Sequence, residues 1–167
     1  MKHPVHSCWL CGIALLWCAQ PLPAQSDADM ADVFNWKFEM AAPDSFFVPL
    51  EEGSGWEEPA TTAKVVCMAM PAPFERTVQD LEALQTEEGQ TVLEKHTLEL
   101  EGVQGMLFLL EFSPVAGNDP EIAYSLMFVR PLQNATLIIN AQYPKPEHER
   151  LYAKLLAAFA TVRKKEE

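Results

Sequence analysis

Few side chains in this sequence could do chemistry, and they are scattered. Beyond the first two dozen residues there are two histidines, His96 and His148. A zinc site needs at least three converging ligands, and no His-x-x-x-His or similar spacing occurs, so both imidazoles read as hydrogen-bonded or solvated. Glu51, Glu52, Glu57 and Glu58 crowd around Trp56. Two carboxylates divide acid and base roles only where their environments push their pKa values apart. The Gly53-Ser54-Gly55 run between them predicts a solvated loop in which they stay ionised, and it lacks the regular oxygen spacing of a Ca²⁺ loop. That run is no phosphate cradle either, because no Lys-Ser/Thr follows and no helix begins there. Ser54 and Ser125 lack the Gly-x-Ser-x-Gly elbow of a serine nucleophile. Cys67, within Lys-Val-Val-Cys-Met-Ala-Met, reads as a small buried hydrophobe. Asn134-Ala-Thr136 matches a glycosylation acceptor, but at a hairpin Asn134 reads as a turn former. The sequence thus offers no catalytic residue, no metal site and no cofactor.

Two binding arrangements remain. Trp56, with Phe46 and Phe47 upstream and Glu57 and Glu58 beside it, suits an aromatic anchor for a protein partner; Trp56 could equally fold back as a lid. Alternatively, Met106, Phe108, Met127 and Phe128 would line an apolar pocket between sheet and helix for a small ligand.

The amino-terminal segment sets the expected setting. Lys2 precedes an uncharged apolar run from Cys8 to Ala19, and Pro21-Leu22-Pro23-Ala24 offers a cleavage site before Gln25. This is the pattern of a secretory signal peptide over residues 1–24, and the run is short of the roughly 20 residues a membrane anchor needs. A secreted location is expected, periplasmic in a Gram-negative cell. Cleavage would remove Cys8, Cys11 and Cys18, leaving Cys67 with no disulfide partner. It would also remove one of the 12 basic residues and none of the 24 acidic ones, for a net charge of about −13. Such a chain is repelled by phosphate backbones, which argues against nucleic acid and for a protein or envelope component as partner.

Residues 25–33 read as a flexible leader and 34–167 as one α+β domain. Within it, Phe34–Met40 alternates like a strand, Ser45–Val48 is a second short run, and 49–62 reads as a surface loop. Ala63–Met70 predicts a strand. Val78, Leu81 and Leu84 give a helix over 74–85, with Thr77 and Asp80 placed as a capping pair. Strands follow at 90–100, 103–112, 121–130 and 135–143, the first two joined at Glu101-Gly102. Pro146 opens a final helix with Leu151, Leu155, Phe159 and Val162 on one face, Leu156 beside them, and Arg163 to Lys165 at its end. The unbroken apolar run Met106–Leu110 requires cover on both faces of its strand, so the two helices should lie on opposite sides.

A strand before a short helix, the hairpin Leu100-Glu-Gly-Val-Gln-Gly105, a long antiparallel pair ending in Ala141-Gln-Tyr-Pro144 and a terminal amphipathic helix together resemble the PsbP-like superfamily, whose bacterial relatives include DcrB-type secreted proteins. The likeness spans Trp36 to Val162. It implies an α/β/α sandwich around an antiparallel sheet and a non-catalytic partner-binding role, and it carries no catalytic residue over. Val48–Ala60 departs from the family pattern in being longer and more acidic.

Overall fold

The computed structural model describes residues 33, 35–51, 53–84, 90–112 and 123–165. The proposed signal peptide, nearly all of the leader, Phe34 and Glu52 lie outside the described residues. Among the described residues nine strands form two sheets. A seven-stranded sheet has the order β2-β3-β4-β8-β7-β6-β5, made of β2 (Val48–Pro49), β3 (Gly55–Glu58), β4 (Ala63–Met70), β5 (Gln90–Leu100), β6 (Val103–Phe112), β7 (Ala123–Leu132) and β8 (Ala135–Pro144). Every neighbouring pair in it is antiparallel. A two-stranded ribbon pairs β1 (Phe38–Glu39) with β9 (Arg163–Lys164). Two α-helices have their full range among the described residues, α1 (Phe74–Leu84) and α2 (His148–Ala160), with a 3₁₀ turn at Lys145–Glu147 leading into α2.

The hairpin β5–β6 turns at Glu101 and Gly102, both at positive φ (51° and 76°), the pair of left-handed residues that matches the twist of flanking strands. At the β7–β8 turn Asn134 takes φ 59°, which bears out its reading as a turn former. Gly105 has a different reason. A Cβ there would collide with the Val129 carbonyl and sit 2.6 Å from the Phe128 ring, so the bare backbone is what lets that ring lie flat across β6.

The alternation along the central strands sends side chains to two faces. Leu107, Leu109, Leu126, Phe128, Leu137 and Ile139 meet Leu151, Leu155 and Phe159 of α2 in the main core. Phe108, Val129 and Ile138 meet Val78 of α1, with Phe74, Leu81, Met106 and Met127 around them. The helices therefore take opposite faces, which explains why Met106–Leu110 carries no polar position. The cover is unequal. On the α1 side, β4 leaves Met68 45% and Met70 38% exposed, because one 11-residue helix spans only part of a seven-stranded face.

Five expectations are corrected. The stretch 49–62 is not simply a loop, since β3 forms within it. Gly55 permits this, because a Cβ there would strike the Val65 carbonyl across the ladder. Among the described residues of 34–40, strand pairing is confined to Phe38–Glu39, and the second short strand is Val48–Pro49, not 45–48. Thr77 does not cap α1; it lies inside the helix and donates its hydroxyl to Pro73 O at 3.2 Å. α2 ends at Ala160, and Arg163 and Lys164 leave it to pair with β1.

Candidate functional site

Residues 44–51 and 53–58 form a flap at the β2 edge of the sheet, and the structure ties it down from several sides. The Leu50 N–H donates to Gly55 O at 3.2 Å, closing the turn between β2 and β3, and the Cys67 N–H donates to Ser54 O at 2.8 Å. The Ser54 hydroxyl accepts from the Phe38 N–H at 2.9 Å, so this serine positions backbone and is no nucleophile. Ser125 is likewise committed: it is buried and donates to Asn140 Oδ1 at 2.7 Å.

The flap is also pinned electrostatically to α2. Arg150 Nη2 reaches Glu58 Oε2 at 2.5 Å, its Nε reaches Glu147 at 2.6 Å, and its Nη1 approaches Asp44 Oδ2 at 3.4 Å. Lys154 donates to the same Asp44 oxygen at 2.8 Å. Arg150 can serve three carboxylates at once because the guanidinium presents five donors in a fixed fork. Burial pushes the Asp44 carboxyl upward, but the hydrogen bonds from Lys154 and the Phe46 N–H, with the charges of Lys154 and Arg150, outweigh it and hold its pKa below the usual value. The hydrogen bonds that Arg150 donates to Glu58 and Glu147 raise its own pKa.

This geometry separates the five residues predicted to bind a partner. Phe46 is 65% exposed. Phe47, its neighbour, is buried in the main core. Trp56 is half-buried against that core and donates its indole N–H to Met40 O at 2.9 Å, a position fixed by β3 facing it towards Val65. Glu57, one residue on, points to the opposite face beside Val48 and Lys64. Glu58, expected to be solvated, is instead buried at 4% exposure and accepts from both Arg150 and the Thr61 hydroxyl. A buried carboxylate persists only when paired and hydrogen-bonded, and its cation lies 92 residues away, out of reach of any spacing rule. Glu51 is exposed.

The four predicted pocket residues do not line one space. Met106, Phe108 and Met127 point to the α1 face, whereas Phe128 points to the α2 face and is fully buried there. Adjacent residues on a strand face opposite ways, so Met127 and Phe128 could not share a wall. Phe74, Val78 and Leu81 of α1 belong to the same hydrophobic cluster as the first three.

A second cluster, missed at the level of sequence, lies where α2 begins. Glu111, Tyr124 and Tyr143 stand side by side across β6, β7 and β8. His148 stacks on Tyr143 (16°, 6.0 Å), meets Tyr124 edge-on at 5.0 Å and Tyr152 at 5.1 Å, with Tyr143 Oη 3.1 Å from its Nδ1. Lys145 donates to Glu111 at 2.8 Å and lies 5.6 Å from the Tyr124 ring centre. Tyr152 donates to Glu94 at 3.0 Å. Burial first, then the neighbouring negative charges, raise the Tyr143 pKa; burial and the Glu94 bond do the same for Tyr152. Phenols held protonated in this way are poor bases, so the cluster seals one end of the core. Its signal in the sequence was the Tyr124, Tyr143, His148, Tyr152 set, visible only once the register is known. His96 is exposed. It shares a face of β5 with Leu98 and Leu100, while a bulge between Val92 and Glu94 turns Val92 to the opposite face.

Burial pushes the Cys67 thiol up to about 12 against the opposing pull of Arg130, and its Sγ lies 3.9 Å from Met40 Sδ. It is an inert core residue. Among the described residues no three His, Cys, Asp or Glu side chains could hold a metal ion. Among them, too, no helix is long and apolar enough to cross a membrane.

No protein-family model matches the chain, and no curated protein matches it in sequence. Solved structures do. LpqN of Mycobacterium tuberculosis, described as involved in cell envelope biogenesis, superposes with a TM-score of 0.53 at 14% identity, covering 86% of this chain and 99% of that one. PA94 of Pseudomonas aeruginosa, a protein of unknown function, gives 0.52 at 15% identity over 80% and 86%. Cyanobacterial PsbP from Synechocystis sp. PCC 6803 gives 0.44 at 6% identity over 77% and 93%, a level from which nothing is argued. At such identities the likeness shows an α+β fold built on an antiparallel sheet, and nothing of activity.

Proposed function

We propose that this chain is a non-catalytic binding or accessory domain of the cell envelope, exported by its amino-terminal signal, an α/β/α sandwich of the PsbP and DcrB kind. Its partner is a protein or envelope component met at the 44–58 flap. One observation carries the reading: Phe46, an exposed aromatic, stands on a segment that Arg150 and Lys154 clamp to α2. An aromatic held in place before contact loses little conformational freedom on binding, and aromatic anchors dominate interface energies. In this arrangement Phe46 and Glu57 make the contact, while Phe47, Trp56 and Glu58 hold the flap in shape. The LpqN likeness supports an envelope setting, and the raised pKa of the Cys67 thiol and of the Tyr143 phenol supports the absence of catalysis. A carrier of small apolar ligands is the weaker alternative, since α1 already occupies the space beside Met106, Phe108 and Met127.

The test replaces Phe46 by p-benzoylphenylalanine in the natural host and irradiates intact cells, with the same residue at the exposed Arg76 of α1 as control. A discrete protein adduct specific to position 46 is the expected result; none, or the same adducts at both positions, overturns the flap as the contact. Fractionation should find a periplasmic or secreted chain beginning at Gln25, and an unprocessed cytosolic chain would contradict the envelope setting.

A further inference from the structure

The other end of the sheet offers a second surface. β5 is its last strand, 11 residues long, and among the described residues no strand pairs with its outer side. Such an edge presents a row of backbone donors and acceptors ready for another strand. Natural edges are usually blunted, and β5 is blunted at one end only: the bulge between Val92 and Glu94 disrupts the ladder there and leaves Glu94–Leu100 as a regular run.

We propose that this run pairs antiparallel with its own copy in a second chain, joining two seven-stranded sheets across a two-fold axis at Thr97. Symmetry restricts the choice. A two-fold axis normal to a continuous sheet keeps each face on its own side, so a residue can only oppose one of its own alternation class. Lys95, Thr97 and Glu99 lie on the α1 face, opposite Phe108, Met106 and Gln104 of β6; Glu94, His96, Leu98 and Leu100 lie on the other. Centring on Lys95 sets two ammonium groups against each other, and centring on Glu94 opposes two carboxylates. Centring on His96 leaves Lys95 facing Thr97. Centring on Thr97 places Lys95 opposite the second copy's Glu99 and Glu99 opposite its Lys95, two ion pairs from one contact, with the whole regular run engaged. Each helix steadies a charge along the strand: Glu82 of α1 pairs with Lys95, and Tyr152 of α2 holds Glu94. Leu98 faces the second copy's His96, and Leu100 faces its Glu94.

Sedimentation of the purified chain over a concentration series is the test. A reversible dimer is expected, and a monomer at the highest concentration overturns the proposal, including the case in which the edge serves a strand of some other protein. Glu99→Lys should weaken the dimer by at least about tenfold, since it opposes like charges twice, and Lys95→Glu should do the same. The double variant Lys95→Glu/Glu99→Lys should restore it. A dimer indifferent to Glu99→Lys rules out this interface. Thr97→Cys gives an independent reading of register: mild oxidation should link the tryptic peptide His96–Arg150 to its copy, while a cysteine placed at Glu99 should not self-link. Equal linking at both positions would rule out the axis at Thr97.

Discussion

The two faces of the sheet are made from the same strands yet finished differently. On the α2 side, large side chains from four strands interlock with Leu151, Leu155 and Phe159, and the edges are closed by Trp56, Phe47 and the tyrosine–histidine cluster. On the α1 side a single short helix covers Phe108, Val129 and Ile138, and the surface runs out at Met68 and Met70. The difference teaches that the fold is anchored from one side. The α2 face carries most of the core and recruits the flap, whereas the α1 face closes only the strip beneath the helix.

The sharpest way to break this contrast is to remove the same kind of packing from each side. Leu155→Ala, at a site 1% exposed, should cost about 3 kcal/mol, because the lost transfer energy is joined by that of an unfilled cavity. Val78→Ala on α1 should cost about 1 kcal/mol. Urea denaturation of both variants measures the gap, and equal losses would mean the two faces share the load. Next comes the clamp. Arg150→Ala leaves Glu58 buried without its cation and should cost about 2 kcal/mol; Glu58→Gln in the same chain should recover part of that loss, which a purely steric role for Arg150 would not allow. A smaller effect is expected from pH. Asp44 has its folded pKa lowered below 3.8, so its contribution is complete above that value and is lost as pH falls through the lower folded one. Asp44→Asn should therefore reduce stability at neutral pH and flatten its decline on the acid side, as followed by melting temperature between pH 7 and 3. Least of all, Met68→Ser on the uncovered surface should change stability by less than about 0.5 kcal/mol; a large loss would mean that this surface is covered after all.

The long elements were legible because their information is local. β4, β5 and β6 begin and end where the Pro and Gly punctuation and the β-branched runs place them, and the expected helix over 74–85 is realised as Phe74–Leu84. Opposite placement of the helices followed from Met106–Leu110 alone. What escaped was long-range. β3 has the composition of a loop, and its pairing rests on backbone contacts that Gly55 permits and no side-chain pattern announces. Glu58 looked solvated because its neighbours are Gly, Ser and Glu; its burial is decided by Arg150, far along the chain. The bulge in β5 turned Val92 to the face opposite His96, Leu98 and Leu100, and a ladder irregularity of this kind leaves no mark in residue types. Of the candidate site, the aromatic and acidic residues stood out in the sequence as types, but their division into Phe46 facing out and Phe47, Trp56 and Glu58 facing in required coordinates.

The small ribbon of Phe38–Glu39 with Arg163–Lys164, braced by Arg163 on Glu39 and by Lys164 over the Trp36 ring at 3.7 Å, brings the two ends of the folded body together. The Lys165 N–H also donates to Lys37 O at 2.9 Å, so probes placed at Lys37 and at Lys165 would report on the same corner of the body although the whole domain separates them along the chain.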